Sequence, residues 1–292
     1  MEILRDKFIK LSSTSIILGF FDGIHLGHRE VIRSAINFAK KNNNKTLLIT
    51  FKSSPAEYFN KDIKYIFDRN TNYKLIDELG VDYLLELDFS NYINMKAEDF
   101  LRFLKDNYSP KTISTGFNYT FGKNREGNSS FLFDRQSIYD YKYFCIPEYK
   151  INDETISSTN IKKALSEGDI IKANQYLFTN FKLKSVVIEG MQLGRQLGFP
   201  TANMSYPEEI IKISYGVYKV KTLGMPAILN WGIKPTLSNK NEVLEVHIPN
   251  FSADLYNKDL EIELIQKIRD EKKFDNLEDL KTQIEKDIEC LR

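Results

Sequence analysis

Apolar segments alternate with amphipathic ones along the first 182 residues of the chain. Four short, mostly apolar runs predict buried strands, and two stretches with apolar residues at every third or fourth position predict helices. The predicted strands are residues 15–20, 45–51, 82–89 and 111–116, and the predicted helices are residues 28–41 and 97–107. Strands that alternate with helices favour an α/β fold with a doubly wound parallel sheet. Ligands bind at the carboxyl ends of the strands in such sheets, so the turn after residue 20 is a candidate site.

The pattern changes after residue 182. Short apolar runs there alternate with turn residues, at positions 184–189, 216–222, 227–230, 242–249 and 260–265. Such spacing is typical of an all-β sandwich or barrel. Beyond Asp275 or Asn276, either of which could cap a helix, apolar residues recur at spacings of three and four and predict one closing helix. We therefore expect two domains: residues 1–182 with the α/β sheet, and residues 183–292 with an all-β barrel and a C-terminal helix.

The composition fits two globular domains and narrows the possible partners. The 41 Lys and Arg residues nearly balance the 40 Asp and Glu residues, and neither predicted domain has the basic excess of a nucleic-acid-binding protein. The chain has no apolar run of the ~18 residues that a membrane span needs, and its start has no signal-peptide pattern. The two cysteines, Cys145 and Cys290, cannot form a disulfide framework. We expect a cytoplasmic protein, monomeric or weakly homo-oligomeric, that acts on small molecules rather than on nucleic acid or membranes.

Glycines and histidines concentrate in the turn between the first predicted strand and helix, where residues 19–28 read GFFDGIHLGH. Its glycines let the backbone approach an anion, and the start of the helix attracts phosphate. His25 and His28 are three residues apart and project together, so they could bind phosphates and stabilise charge during attack at an α-phosphorus. The alternatives are half of a metal site or a plain surface pair. A zinc site would need a third ligand, and the remaining histidine, His247, is in the other predicted domain.

A second cluster of candidate residues lies in the β-rich half, where residues 190–203 read GMQLGRQLGFPTAN. The segment is not a P-loop, because GxxxxGK[ST] is absent. Thr201 and Asn203 offer a hydroxyl and a carbonyl oxygen suited to Mg²⁺ on phosphates, although the segment also fits a long surface loop. In the predicted strand 242–249, Glu245 and His247 lie on the face opposite the apolar residues. Glu245 is a candidate general base for phosphoryl transfer, or else a solvated side chain on a half-buried strand.

Several segments resemble family motifs, in the order in which those motifs occur. Residues 19–28 resemble the HxGH signature of nucleotidyltransferases in the form GxFDGxHxGH, residues 116–127 (GFNYTFGKNREG) resemble DFxFGxxRxG, and residues 156–162 (ISSTNIK) resemble ISSTxIR. The ISST hydroxyls also fit a helix cap, which is compatible with phosphate binding. Residues 190–203 and the segments GVY, NWGIKPT, EVH, LY and IRDEKKF, starting at residues 216, 230, 245, 255 and 268, resemble riboflavin kinases. The chain is thus similar to the bacterial bifunctional riboflavin kinase/FMN adenylyltransferase (FAD synthetase) family over nearly its whole length.

The resemblance implies two reactions that use Mg²⁺: phosphorylation of riboflavin to FMN by ATP in the second domain, and adenylylation of FMN to FAD, with release of pyrophosphate, in the first. It implies that ATP in the adenylyltransferase is bound by Gly19, Phe20, Phe21, Asp22, Gly23, His25, His28, Ser157, Ser158, Thr159 and Lys162, and the flavin by Asn118, Phe121 and Arg125. In the kinase it implies ATP binding by Gly190, Gly194, Arg195, Gly198, Pro200, Thr201 and Asn203, with Thr201 and Asn203 as metal ligands. Glu245 would deprotonate the 5′-hydroxyl, Arg269 would lie near the flavin, and Trp231 would either border the flavin or serve in packing.

Three features of the first predicted domain depart from the family pattern. Lys162 stands where Arg is usual, Asn118 stands where Asp is usual, and residues 52–55 read KSSP instead of containing Pro-His-Pro. Lys keeps the positive charge of Arg but cannot form its bidentate hydrogen bonds. These departures leave open a riboflavin kinase whose first domain transfers adenylyl groups weakly or not at all. A non-catalytic flavin-binding or regulatory protein is the alternative from another class.

Overall fold

A computed structural model describes residues 1–5, 9–60, 62–190, 194, 197–235 and 240–291. The chain packs as two compact units, one formed by Met1–Ile63 and Asp68–Ser157, the other by Lys64–Phe67 and Ser158–Arg292. Residues 158–182 thus pack with the second unit, whereas the sequence assigned them to the first domain. The boundary between the functional domains at residue 182 stays a prediction.

The first unit contains eight strands and six helices among its described residues. The strands are β1 (Glu2–Arg5), β2 (Thr14–Leu18), β3 (Lys45–Phe51), β4 (Tyr83–Leu87), β5 (Pro110–Gly116), β6 (Lys142–Ile146), β7 (Lys150–Ile151) and β8 (Glu154–Thr155). The helices are α1 (Leu26–Asn42), α2 (Arg69–Glu78), α3 (Phe89–Tyr92), α4 (Ala97–Tyr108), α5 (Ser129–Asp134) and α6 (Gln136–Tyr139). All four strands and both helices expected from the sequence are present, with ends within two residues of the predicted ones.

Six of these strands form one parallel sheet in the order β1-β4-β3-β2-β5-β6. All five residues of β2 are buried, as expected for a central strand covered on both faces. Ile16 and Leu18 share a core cluster with Leu101 and Leu104 of α4, while α1 contacts β2 and β5. The predicted doubly wound parallel sheet is therefore confirmed.

The direction of strand addition reverses beside β2. The chain runs from β2 through α1 to β3 on one side, and the later strand β5 pairs with the other edge of β2. Ligands in open α/β sheets bind beside the carboxyl ends of the strands at such a reversal. Residues 19–25 leave the carboxyl end of β2 at this point, so the topology places the glycine- and histidine-rich turn where a ligand is expected.

Among its described residues, the second unit combines two helices, a barrel and a closing helix. The helices are α7 (Ser158–Glu167), α8 (Ile170–Tyr176) and α9 (Leu277–Glu289), and the strands are β9 (Lys182–Ile188), β10 (Thr201–Met204), β11 (Gly216–Thr222), β12 (Met225–Pro235), β13 (Lys240–His247) and β14 (Asp259–Arg269). The strands close into an antiparallel barrel in the order β10-β13-β12-β11-β14-β9. The side chain of Asn276 caps α9 by accepting a hydrogen bond from the amide of Asp279. The barrel and the closing helix confirm the prediction, and Asn276 rather than Asp275 is the cap.

The alternation of side chains along β13 separates the barrel core from its outer face. Leu244 and Val246 are 1% exposed, and they lie opposite Trp231 and Leu229 of β12, which are equally buried. Glu245 lies between them in the sequence and therefore on the outer face. The predicted division of this strand into an apolar inner face and a face carrying Glu245 is confirmed.

Candidate functional sites

The two histidines of the glycine-rich turn lie together at the start of α1. His25 is the N-cap of this helix, and its Nδ1 accepts a hydrogen bond from the backbone amide of His28 at 3.2 Å. The two imidazole rings stack with their centroids 3.6 Å apart, and the rings of His28 and Phe21 form a T-shaped pair with centroids 5.0 Å apart. The structure thus brings the two predicted catalytic histidines into one cluster at a helix N-terminus.

Burial keeps both imidazoles neutral near pH 7. It lowers the pKa of His25 to about 4, and burial together with the neighbouring His25 lowers the pKa of His28 well below its usual value. Because Nδ1 of His25 accepts a hydrogen bond, the neutral ring carries its proton on Nε2. Among the described residues, no group is hydrogen-bonded to the buried Nδ1 of His28. The pair can therefore offer a neutral donor, Nε2–H of His25, to a ligand, while Nδ1 of His28 is buried.

The backbone of this turn adopts a conformation that few sequences tolerate. Gly23 has a φ of +84°, and the fully buried Ile24 has a φ of +29°. A β-branched residue rarely adopts positive φ, and such strain persists only where the surroundings hold it. A Cβ on Gly19 would lie 2.8 Å from the ring of Phe21, so a larger residue at this position would require that ring to move. The turn is a strained, closely packed structure of the kind found at ligand sites.

Acid should destabilise the folded protein through His25. Its pKa is about 4 in the folded state and about 6.5 in an unfolded chain, so the unfolded state takes up the proton first as the pH falls. The stability that the neutral ring contributes is fully present above pH 6.5 and is lost as the pH falls toward 4. Between pH 7 and pH 5, we expect the wild type to lose about 2 kcal/mol more unfolding free energy than a His25→Asn variant. Chemical denaturation at both pH values measures the difference, and equal losses would contradict the assignment.

An aromatic cavity of about 730 Å³ lies in the first unit. Its volume is within the range of small-molecule sites, about 300–1,000 Å³. Phe121 and Arg125, two of the predicted flavin-binding residues, line it, whereas Asn118 is not among the lining residues. Lys123 adds a second cation, and both Asn124 and Arg125 have positive φ. The remaining aromatic lining, which the sequence did not single out, is Phe51, Phe59, Phe89, Tyr92, Phe100 and Tyr119.

The ISST segment is divided between the two units. Ser157 is the last residue of the first unit, and Ser158 begins α7 in the second, with Thr159 and Lys162 on the same helix. The ammonium group of Lys162 lies 5.8 Å from the centre of the Tyr65 ring, which belongs to the second unit as well. The contact of these residues with a nucleotide stays a prediction.

In the second unit, the candidate kinase residues converge on the outer face of the barrel. Thr201 and Asn203 lie on β10 rather than on a loop, and Asn203 is directly opposite Glu245 in the ladder with β13. On the other side of Glu245, Asn230 of β12 is its direct partner. Residues opposite each other share a face of the sheet, with Cβ atoms about 4.5–5.5 Å apart. One polar row is therefore formed by Asn203, Glu245 and Asn230. The sequence analysis does not name Asn230 as a site residue.

The glycines before β10 allow the chain to pass close to this row. A Cβ on Gly190 would collide with the side-chain amide of Asn203, and a Cβ on Gly194 would lie 2.5 Å from the carbonyl of Phe199. Gly198 has a φ of +91°, which favours glycine. Arg195, a predicted ATP ligand, lies outside the described residues.

Loops shape a second cavity beside Thr201. His247 is opposite Thr201 in the ladder, and its Nδ1 donates to the carbonyl of Pro200 at 2.9 Å. Its ring forms a T-shaped pair with Phe199. Thr201 and Pro200 line a cavity of about 470 Å³ together with residues 251–256. A small molecule bound there would reach the start of β10.

Trp231 and Arg269, the two residues predicted near the flavin of the kinase, both have structural partners. Trp231 is 1% exposed, and its Nε1 donates to the carbonyl of Ile213 at 3.1 Å, which supports the packing interpretation. Arg269 forms a bidentate ion pair with the buried Asp287 of α9, with Nε–Oδ1 and Nη2–Oδ2 distances of 3.0 and 2.8 Å. Arg269 thus ties the closing helix to the barrel, and its place near a flavin stays a prediction.

Within the described part of the chain, no three His, Cys, Asp or Glu side chains lie close enough together to hold a metal ion. No helix in the same residues is both long and apolar enough to cross a membrane.

Comparison with known proteins places both units in known families. Residues 8–160 match the family model of FAD synthetase, and residues 177–292 match that of riboflavin kinase. The bifunctional riboflavin kinase/FMN adenylyltransferase of Buchnera aphidicola subsp. Schizaphis graminum is 37% identical, covering 96% of this chain and 94% of that protein. The protein of the same name from Haemophilus influenzae is 33% identical, covering 97% and 94%.

A solved structure resembles the chain over nearly its whole length. The crystal structure of a Streptococcus pneumoniae protein, called a macrolide-efflux protein, superposes with a TM-score of 0.88 at 28% identity, covering 97% of this chain and 94% of that one. Both family models and the full-length curated relatives agree with the order of motifs in the sequence. The chain belongs to the bifunctional riboflavin kinase/FMN adenylyltransferase family.

Proposed function

We propose that this protein makes FAD from riboflavin in two ATP-dependent steps. The second unit transfers the γ-phosphate of ATP to the 5′-hydroxyl of riboflavin, which yields FMN and ADP. The first unit transfers AMP from a second ATP to the phosphate of FMN, which yields FAD and pyrophosphate. The observation that supports the proposal is that one chain has two separate candidate sites, the turn of residues 19–28 beside β2 (the histidine turn) and the polar row on the barrel.

In the kinase step, Glu245 accepts the proton of the 5′-hydroxyl of riboflavin. The hydroxyl oxygen attacks the γ-phosphorus of ATP, and ADP leaves. Thr201 and Asn203 would hold Mg²⁺ through a hydroxyl and an amide oxygen. This donor set suits Mg²⁺, which takes oxygen ligands and is usually bound by one or two protein groups together with substrate phosphates. Bound Mg²⁺ neutralises charge on those phosphates. The ladder places Asn203 beside Glu245, so one row of side chains serves both the nucleotide and the hydroxyl.

In the adenylylation step, an oxygen of the FMN phosphate attacks the α-phosphorus in line and pyrophosphate leaves. His25 donates a hydrogen bond from Nε2 to a phosphate oxygen, and His28 stacks on it at the start of α1. The aromatic cavity receives the flavin ring, and Lys123 and Arg125 supply positive charge for its phosphate. Neutral histidines need no proton uptake to act as donors near pH 7.

The alternatives are not favoured. Matches to the models of both enzymes favour a chain with two activities over a kinase with an inactive first unit or a non-catalytic flavin-binding protein. In place of Pro-His-Pro, Ser54 caps a short helical turn by accepting a hydrogen bond from the amide of Ala56, and Pro55 and Ala56 line the aromatic cavity. We also propose that the protein acts on small molecules in the cytoplasm, as a monomer or weak homo-oligomer and without nucleic acid. The near balance of charge supports the last point.

The two reactions can be tested separately. With FMN and ATP but no riboflavin, we expect FAD and pyrophosphate in equal amounts, and with riboflavin and ATP we expect FMN and ADP. Chelation of Mg²⁺ by EDTA should stop both reactions, and added Mg²⁺ should restore them. A purified protein that binds flavin but forms neither product would overturn the proposal.

A further inference from the structure

A residue outside every motif in the sequence contacts the histidine turn. Asn72 lies on α2, is 8% exposed, and accepts a buried hydrogen bond from the backbone amide of Gly23 through Oδ1 at 2.9 Å. The start of α2 is itself fixed, because Asp68 caps the helix by accepting from the amide of Thr71. Asn72 thus contacts the turn from a capped helix, although it lies 49 residues after Gly23 in the sequence.

The hydrogen bond acts at the point where the turn is strained. The amide of Gly23 is held by Asn72, its φ is +84°, and the next residue, Ile24, has a φ of +29° inside the core. Ile24 leads directly into His25, the N-cap that stacks on His28. Without an acceptor at Asn72, the buried amide of Gly23 would lose its partner, and the turn could relax toward a less strained conformation. The position of the imidazoles therefore depends on this contact.

We propose that Asn72 is a positioning residue for adenylyl transfer, whose side-chain carbonyl holds the Gly23 amide and so keeps His25 and His28 in place. The role rests on the proposed function of the first unit. Asn72 need not touch ATP or FMN, so its loss should lower the rate of the chemical step more than the binding of FMN. The kinase activity of the same chain provides an internal measure of folding.

Three variants separate this role from a general effect on folding. Asn72→Leu keeps the branched shape but has no acceptor, Asn72→Asp keeps an acceptor oxygen, and Asn70→Leu makes the same change at an exposed position of α2. We expect Asn72→Leu to lower kcat for FAD formation roughly 10- to 100-fold. The KM for FMN and the rate of riboflavin phosphorylation should stay unchanged. Asn72→Asp should recover most of that rate, and Asn70→Leu should match the wild type.

Three outcomes would overturn the proposal. Asn72→Leu could form FAD at the wild-type rate, Asn72→Asp could be as slow as Asn72→Leu, or Asn72→Leu could lose both activities equally, as a merely structural residue would. Failure of the proposed function itself has a different signature. In that case the wild-type protein would phosphorylate riboflavin and form no FAD from supplied FMN, and the role of Asn72 would fall with it.

Discussion

A Glu245→Gln variant is expected to phosphorylate riboflavin roughly 10²–10⁴-fold more slowly than the wild type and to form FAD from supplied FMN at an unchanged rate. Glutamine has the shape of glutamate but cannot accept the proton of the 5′-hydroxyl. The carboxylate lies on the outer face of the barrel, directly opposite Asn203, which we assign to Mg²⁺. The variant should therefore still bind ATP and riboflavin, and the loss should appear in kcat.

The experiment measures ADP release with riboflavin and FAD formation with FMN on the same preparation. Glu242→Gln is a matched control, because Glu242 lies on the same strand and bonds to Lys212 and Tyr215 instead of facing Asn203. Its exposed ion pair is expected to contribute at most about 1 kcal/mol to stability. Riboflavin phosphorylation at the wild-type rate by Glu245→Gln would show that Glu245 is not the base.

A His25→Asn variant is expected to form FAD roughly 10²–10³-fold more slowly, while its kinase activity is unchanged. The substitution removes the Nε2 donor, which we assign to a phosphate oxygen in the transition state. Asparagine is a good N-cap, so it can replace Nδ1 of His25 as the acceptor for the amide of His28. The variant should consequently keep the start of α1 intact.

A second substitution at the same position separates capping from chemistry. His25→Ala loses both the donor and the cap, so it should match His25→Asn in rate but unfold more easily, by about 0.5–2 kcal/mol. Rates of FAD formation and thermal unfolding of both variants make the comparison. FAD formation at the wild-type rate by His25→Asn would refute the role of the imidazole, whatever the stability of the alanine variant.

Most of the fold follows from local patterns in the sequence. The central strands of the sheet are continuous apolar runs because both faces are covered, and α1 and α4 each present a regular apolar face. The sequence does not predict helix α2, because its buried face includes the polar Asn72, which interrupts the apolar pattern. It does not predict strand β10 either, because this strand has only four residues and begins directly after Pro200.

The candidate sites were predictable only in part, for a physical reason. The histidine turn is local, so the spacing of His25 and His28 along a helix was enough to bring them together. The contact of Asn72 with the turn and the pairing of Asn230 with Glu245 depend on packing and strand register between distant segments. The motif NWG was visible in the sequence, but only the register of the barrel puts its asparagine beside the carboxylate.

The most direct test of the central claim follows the flavins in one reaction over time. Purified protein is mixed with riboflavin, excess ATP and Mg²⁺, and riboflavin, FMN and FAD are separated by chromatography at successive times. Two working sites on one chain predict that FMN forms first and FAD follows at its expense. FMN that accumulates without any FAD would contradict the claim of two activities, and riboflavin that stays unchanged in the presence of folded protein would contradict both.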